Sequence, residues 1–193
     1  MDIHNHIQNM FGIEKKESMP LVGNLDRNSL AILFFELGYK VGAEIGVLYG
    51  VNSEVLLKAN QGLKLFCVDP WIPYGNRKIN IIRKRFRSTM KLLAPYNVQY
   101  IRKMSMDALS DIADNSLDFV YIDANHHYSF VKEDIIEWSK KVRSGGIVSG
   151  HDYIYNSRCQ VKLAVDEYAK ANGIDPWYLT SEEILPSWFW VKP

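Results

Sequence analysis

Several features that would narrow the class of protein are scarce or absent in this sequence. The two cysteines, Cys67 and Cys159, fall in unrelated contexts and form no CxxC pair, which predicts free thiols in a reducing cytoplasm. No apolar run approaches the ~20 residues that a membrane-spanning helix needs. The N-terminal residues lack the basic region and apolar stretch of a secretory signal. Since the formal net charge is only +1, neither a nucleic acid nor a membrane is indicated as partner, and we expect a cytoplasmic protein.

Size and composition describe one globular domain. The chain has 193 residues, of which 47% are hydrophobic, enough to bury a sizeable core. Residues 1–23 are polar and irregular in pattern, so we expect an irregular N-terminal lead-in followed by a single domain over residues 24–193. The sequence contains no internal repeat and no low-complexity segment.

Short apolar runs alternate with amphipathic segments along most of the chain. Strands are predicted in VGAEIGV, LKLFCVD, VQYIRK, LDFVYID and GGIVSGHD, with a helical pattern between each of them and the next. This alternation is typical of a parallel sheet covered by helices on both faces. Two aromatic runs, at 177–180 and in SWFWV, predict an antiparallel hairpin at one edge. The predicted fold class is α/β: a doubly wound, seven-stranded, mostly parallel sheet with a C-terminal antiparallel hairpin.

The longest predicted helix, KINIIRKRFRSTMKLL, combines an apolar stripe with a high positive charge. The residues of the stripe are predicted to face the core. They are Ile79, Ile82, Phe86, Met90 and Leu93. Seven basic residues from Arg77 to Lys91 are then predicted to face solvent. Contact with RNA or an anionic carrier is the alternative, but no aromatic stacking platform accompanies the charges, so a solvated face is favoured.

The loops after the strands are where a ligand is expected, because doubly wound sheets bind ligands beyond the carboxyl ends of their strands. The loop after the first strand reads AEIGVLYG and contains Glu44, Gly46 and Gly50. Glycine at a strand end lets a ligand approach the backbone, and the next helix start offers unpaired N–H groups. The GxGxxG pattern of a dinucleotide cradle is absent, so this turn is less suited to a pyrophosphate. A turn that serves only the fold is the alternative.

Two further strand ends carry candidate ligand contacts. Asp69 follows the second strand, roughly 20 residues after the glycine turn, where a carboxylate can accept both hydroxyls of a ribose. Ser105 and Met106 follow the third strand, where an adenine edge and face would lie if Asp69 holds the ribose. Asp69 is alternatively a cap of the next loop, and Met106 a core residue. Trp71 and Tyr74 either flank the ligand or fill the edge of the core.

These loops together resemble those of the class I S-adenosylmethionine-dependent methyltransferases. The matching pieces are AEIGVLYG as the cofactor loop, Asp69 as the ribose acid, the SMD turn and the aromatic C-terminal hairpin. IDANHHYSFVKEDIIEW and SGGIVSGHDY are further similar to methyltransferase family 24, a group related to macrocin-type O-methyltransferases of sugars and other small molecules. The resemblance covers roughly residues 40–193 and implies a Rossmann-like fold and O-methylation of a small-molecule hydroxyl. The cofactor-binding residues that it implies are Glu44, Gly46, Gly50, Asp69, Ser105 and Met106.

The resemblance also implies a catalytic centre at the ends of the fourth and fifth strands. Metal-dependent relatives hold Mg²⁺ there, and the corresponding residues in this chain are Asp123, His151 and Asp152. A histidine with two carboxylates departs from the all-oxygen set that Mg²⁺ prefers and suits Mn²⁺, Fe²⁺ or Zn²⁺. Alternatively, no metal is used and His151 accepts the proton of the acceptor hydroxyl. Asn125 stands where some relatives carry a base acid, so His126, at the family's DxxHxY position, is the other candidate base.

Other functions remain open at the level of sequence. A NAD-dependent oxidoreductase would use a similar sheet, but the absent GxGxxG and the final hairpin argue against it. A non-catalytic module would keep only the cofactor pocket, but Asp123, His151 and Asp152 argue against such a loss of function. The basic helix keeps an RNA methyltransferase as a minor alternative, although nucleic acid is not the expected partner. We expect a small-molecule acceptor and leave open a divalent metal, Mg²⁺ or Mn²⁺, and a homo-oligomer.

Overall fold

The computed structural model describes residues 2–13, 19–73, 79–181 and 184–193. Its helices are α1 (Ile3–Phe11), α2 (Arg27–Glu36), α3 (Val51–Ala59), α4 (Ile79–Leu93), α5 (Ser105–Ala108), α6 (Tyr128–Lys141) and α7 (Val161–Ala171). Its strands are β1 (Leu21–Val22), β2 (Val41–Ile45), β3 (Lys64–Val68), β4 (Val98–Ile101), β5 (Leu117–Ile122), β6 (Val142–Gly150), β7 (Tyr178–Leu179) and β8 (Trp188–Val191). Tyr74, Arg77 and Lys78 lie outside the described residues.

The strands form one sheet in the order β1-β7-β8-β6-β5-β2-β3-β4. Every neighbouring pair is parallel except β6–β8 and β7–β8, in which β8 runs antiparallel to both of its neighbours. The predicted α/β class, with a mostly parallel sheet and a C-terminal antiparallel hairpin, is therefore confirmed. From β2 the chain builds outward to β3 and β4, and it then returns to place β5 on the other side of β2. The strand order thus reverses between β2 and β5, the position where such sheets bind ligands.

Two clusters of apolar side chains pack against the sheet, one on each face. On one face, the Phe34 ring of α2 stacks on Phe119 of β5 with 4.1 Å between ring centroids. On the other, Trp138 of α6 is fully buried, and the indoles of Trp188 and Trp190 stack on each other in β8. Apolar side chains thus cover both faces of the sheet, as parallel strands require. The alternating apolar runs of the sequence supply these side chains.

The N-terminal residues are more ordered than the sequence predicts. Instead of an irregular lead-in, residues 3–11 form α1, which begins at an Asp2 cap and ends at Gly12. Ile7 and Phe11 of this helix are buried in the core. Leu21 and Val22 then form β1, which pairs with β7 and adds an eighth strand to the seven that were predicted.

Helix α4 departs from prediction in the width of its buried stripe. Ile82 and Leu93 are buried and Phe86 is partly buried, as the helical spacing predicts. Ile79 and Met90, also predicted to face the core, are instead 43% and 45% exposed. They lie at the border of the stripe, farther round the helix from the buried Ile82 than Phe86 and Leu93 are. No helix among the described residues is long and apolar enough to span a membrane.

Candidate active site

The register of the parallel strands places the predicted site residues on one rim of the sheet. Ile45 of β2 is aligned with Val68 of β3 on one side and with Ile122 of β5 on the other, and Ile122 is aligned with Gly150 of β6. The residues that directly follow these strand ends, Asp69, Gly46, Asp123 and His151, therefore lie side by side along the rim. The backbone bonds continue past the strands, since Asp123 N–H donates to Ile45 O at 2.8 Å and His151 N–H to Ile122 O at 3.1 Å.

Gly46 is the point at which the β2 loop and the β5 loop touch. Its φ of 93° is in the left-handed region that favours glycine. A Cβ atom built on Gly46 would lie 2.1 Å from the carbonyl oxygen of Asp123 and 2.7 Å from the Cα of Ala124. Because both neighbours are backbone, neither can move aside cheaply. Glycine is thus required at position 46 because two loops approach each other closely where the strand order reverses.

Asp69 ties the glycine loop to the end of β3. Its Oδ2 accepts the N–H of Leu48 at 2.9 Å, and its Oδ1 accepts the N–H of Trp71 at 2.7 Å. The Trp71 ring is buried and returns a hydrogen bond from Nε1 to Leu48 O at 3.0 Å. A carboxylate offers about four lone-pair sites, so this half-buried one keeps acceptor capacity for a ligand's hydroxyls.

Glu44 lies inside the sheet below the rim, in contact with the first turns of α3. It is 1% exposed and accepts hydrogen bonds from Asn52 Nδ2 at 3.0 Å and from the Ser53 hydroxyl. The N-cap of α3 is Gly50, and no side chain caps it. Burial raises the pKa of Glu44 to about 7, against the opposing effect of these hydrogen bonds. Glu44 therefore ties the start of α3, directly after the glycine loop, to β2.

Ser105 and Met106 begin α5, directly after β4. The Ser105 hydroxyl donates to Asp134 of α6 and accepts the indole N–H of Trp138 at 2.7 Å. Burial raises the pKa of Asp134 to about 6. Met106 is half-buried. The Ser105 side chain thus fixes α5 to α6, and its contact with an adenine stays a prediction.

Asp123, His126 and Asp152 form a compact cluster on the other side of Gly46. His126 Nε2 lies 3.3 Å from Asp123 Oδ1 and 3.0 Å from Asp152 Oδ2. One donor atom from each residue falls within 4.8 Å of the others, a spacing that a metal ion can bridge. Asn125 and His127 are exposed beside the cluster, and the Asn125 side chain accepts the N–H of His127 at 3.0 Å.

The charges of this cluster offset one another. Hydrogen bonds to Asp123 and Asp152 raise the pKa of His126 to about 10, although partial burial opposes the charged form. Burial acts to raise the pKa of Asp152, but hydrogen bonds from His126 and His151 outweigh it and hold that pKa well below its usual range. The backbone of Asp152 also has a φ of 57°, which is uncommon outside glycine and is typical of functional sites.

His151 lies behind the cluster. Its Nδ1 is 3.0 Å from Asp152 Oδ1 and 4.0 Å from Asp123 Oδ2, while its Nε2 contacts the guanidinium of Arg27. His126 is therefore as close to Asp152 as His151 is, and it lies closer to Asp123. Of the residues at the rim, Arg27 was not identified from the sequence. In the sequence, Arg27 is marked only by being the one basic residue of the mostly apolar helix α2.

The sequence of the chain matches a known family of domains. The family model described as a methyltransferase domain, that of methyltransferase family 24, matches residues 43–153. The match is more than half of the chain, and it runs from the glycine loop through Asp69 and Asp123 to just beyond Asp152. The chain belongs to this family, and its domain is that of a class I S-adenosylmethionine-dependent methyltransferase.

Two sequence relatives are uncharacterized proteins. One, from Sinorhizobium fredii, is 27% identical over 58% of this chain, which spans only 12% of that protein's length. The other, from Acanthamoeba polyphaga mimivirus, is 27% identical over 83% of this chain and 70% of its own length. These relatives extend the family resemblance but name no substrate.

Solved structures share the fold along nearly the whole chain. The O-methyltransferase TomG of Streptomyces achromogenes, which acts in tomaymycin synthesis and was solved with S-adenosylmethionine, covers all of both chains with a TM-score of 0.64 and 15% identity. An O-methyltransferase of Bacillus cereus in complex with S-adenosylhomocysteine covers 98% of this chain and 87% of its own, with a TM-score of 0.61 and 15% identity. At such low identity the similarity establishes the fold.

The close approach at Gly46 predicts the effect of adding one methyl group. Gly46→Ala should lower the free energy of unfolding by about 1–3 kcal/mol more than Gly38→Ala, because overpacking against backbone adds to the strain of a positive φ. Gly38 is the matched control, since its φ is 73° and a Cβ there would meet nothing within 4 Å. Urea unfolding of both variants measures the difference, and equal losses would show that the contact is unimportant.

Glu44 predicts a pH dependence of stability. Between pH 4.5, its ordinary pKa, and about pH 7, the folded chain keeps a proton on Glu44 that the unfolded chain has released. The contribution of protonated Glu44 to the free energy of unfolding is therefore fully present below pH 4.5 and is lost as the pH rises through about 7. Glu44→Gln retains partners for Asn52 and Ser53 and should flatten this fall, whereas the control Glu54→Gln should not. Urea unfolding across the window tests it, and parallel profiles would contradict the assignment.

Proposed function

We propose that the protein transfers the methyl group of S-adenosylmethionine to a hydroxyl of a small-molecule acceptor, such as a sugar. The observation that carries this proposal is the single rim, with Asp69 and the glycine loop on one side of Gly46 and the Asp123–His126–Asp152 cluster on the other. The cofactor supplies an electrophilic methyl group when bound. Transfer then requires alignment with the acceptor oxygen, exclusion of water and removal of the hydroxyl proton.

The cofactor half supplies binding and orientation. Asp69 is already anchored by two backbone N–H groups, so its carboxylate is held in place before a ribose arrives. Preorganisation of this kind reduces the entropic cost of binding. Gly46 lets the two halves of the rim meet because it has no side chain. The buried contacts of Glu44 with Asn52 and Ser53 hold the helix that follows the glycine loop. Glu44, Gly50, Ser105 and Met106 complete the proposed cofactor set.

The acceptor half has the donor set of a divalent metal site. Two carboxylates and one imidazole within bridging distance suit Mn²⁺ better than Mg²⁺. Asp123, His126 and Asp152 would hold the ion, with His151 adjacent, and the ion would supply Lewis-acid binding of the acceptor oxygen. The predicted ligand set of Asp123, His151 and Asp152 thus gains His126, which lies as close to Asp152 as His151 does and closer to Asp123.

The proton chemistry distinguishes the two candidate bases. With a pKa raised to about 10, His126 is protonated near neutral pH, and an imidazolium cannot take a proton from the acceptor. In a metal site His126 would serve as a ligand and not as the base, because an ion held at Nε2 would occupy the lone pair that a proton needs. His151 has Nδ1 beside Asp152 and Nε2 beside Arg27, so it acts as a base only if one of these contacts opens. Both constraints favour the metal-assisted form of the reaction.

Removal of the ribose acid should weaken cofactor binding. Asp69→Ala is expected to raise the dissociation constant of S-adenosylhomocysteine by about 100-fold, because two hydrogen bonds to a charged acceptor are lost. Isothermal titration calorimetry measures the constant, and Asp114→Ala, which removes an exposed acid away from the rim, is the control. An unchanged constant for Asp69→Ala would refute the assignment of the cofactor half.

Removal of the acid at the end of β6 should separate binding from catalysis. Asp152→Ala is expected to keep its affinity for S-adenosylhomocysteine within about twofold, yet to abolish methyl transfer from labelled S-adenosylmethionine to a panel of sugar and phenolic hydroxyls. Electron paramagnetic resonance of added Mn²⁺ gives a readout that needs no acceptor, since the variant should lose the bound ion. Asp114→Ala, at an exposed acid, is the control. Normal turnover by Asp152→Ala would disprove the catalytic assignment.

A further inference from the structure

The outward surface of α4 carries positive charge that the rest of the described structure does not balance. Arg83, Lys84, Arg87 and Lys91 are all exposed, and α4 contains no acidic residue. With 100° between successive residues, these four side chains point between about 100° and 200° away from the buried Ile82. None of them forms an ion pair with a described residue. Elsewhere the ion-paired cations, each within 3.0 Å of a carboxylate, are Lys58, Lys103, Lys132, Lys140, Lys141, Arg143 and Lys162.

Exposed aliphatic side chains flank these charges on both sides. Ile79 and Met90 lie along one border of the cationic row, and Ile81, which is 47% exposed, lies along the other. The loop before α3 adds Leu48 and Tyr49, and the first residue of α3, Val51, is 63% exposed beside them. This loop belongs to the same surface, because Thr89 Oγ1 of α4 donates to Leu48 O at 3.1 Å and the Arg85 guanidinium lies 4.8 Å from the Tyr49 ring.

We propose that this surface, the α4 face, docks on an anionic lipid surface. The α4 face consists of the four outward cations with Leu48, Tyr49, Val51, Ile79, Ile81 and Met90. Cations and aliphatic side chains on one exposed helix are what interfacial helices use, the former against anionic headgroups and the latter at the acyl boundary. Charge complementarity selects the lipid, because the helix presents four cations and no acid to it.

Other occupants fit the α4 face less well. A second copy of the chain would bring like charges together across a symmetric interface, which costs free energy. Single-stranded RNA needs aromatic rings on which bases stack, and Tyr49 is the only aromatic ring of the α4 face. The inference departs from the expectation of no membrane partner. That expectation rested on the absence of a spanning segment and on a net charge of +1, and neither reports where the cations lie.

Vesicle sedimentation tests the proposal without an acceptor or a methyl-transfer assay. The chain should sediment with phosphatidylcholine vesicles that contain phosphatidylserine, should not sediment with phosphatidylcholine alone, and should be released by salt. The pair Arg83→Ala with Arg87→Ala should lower the partition coefficient ~30-fold, since each cation near an anionic surface contributes roughly fivefold. The control pair, Lys140→Ala with Lys170→Ala, removes the same charge from exposed sites on α6 and α7 and should change little.

Three outcomes would overturn the proposal. They are equal sedimentation with both kinds of vesicle, an equal loss in the control pair, and salt-sensitive retention of a labelled single-stranded RNA in the absence of vesicle binding. Thermal unfolding monitored by circular dichroism confirms that the variants are folded. The result is independent of the proposed methyl transfer, so failure of either one leaves the other standing.

Discussion

The contact between Gly46 and the backbone of Asp123 is the constraint on which the site depends. It joins β2 and β5 at the point where the strand order reverses. A Cβ atom on Gly46 would lie only 2.1 Å from the carbonyl oxygen of Asp123, which is too close for any side chain. Because the two loops touch there, the glycine loop with Asp69 and the acidic cluster with His126 become halves of one rim. A donor and an acceptor bound to these halves are neighbours without any movement of the fold.

The carboxylates in the two halves of the rim have different kinds of hydrogen-bond partner. Asp69 is satisfied by the N–H groups of Leu48 and Trp71, which are fixed dipoles of the backbone. Asp152 is satisfied by the rings of His126 and His151, which can exchange protons or bind a cation. The first kind of partner suits permanent binding of a neutral hydroxyl. The second suits a site whose charge changes during a reaction, so the division of roles follows from the partners as well as from the positions.

The sequence predicts the rim well because a parallel sheet converts chain order into position. Once the strands ending at Ile45, Val68, Ile122 and Gly150 are identified, the residues that follow them must meet at one edge. It could not predict which histidine approaches both carboxylates, since that depends on how far each ring reaches from its loop. The contact of Arg27 with His151 was equally inaccessible, because it joins segments that only the tertiary fold brings together.

The α4 helix shows that the sequence pattern alone also fails to predict which residues are buried and where charge collects. Helical spacing identified a stripe of five apolar residues, but the width that is buried depends on how much of the helix α3 and the sheet cover, so Ile79 and Met90 remain at the surface. Net charge is a sum over the chain and has the same weakness. Acids elsewhere pair with cations of the same helix or of a neighbouring element, and this pairing leaves α4 basic although the total is +1. A small net charge therefore does not argue against an electrostatic partner until the charges have been placed on the fold.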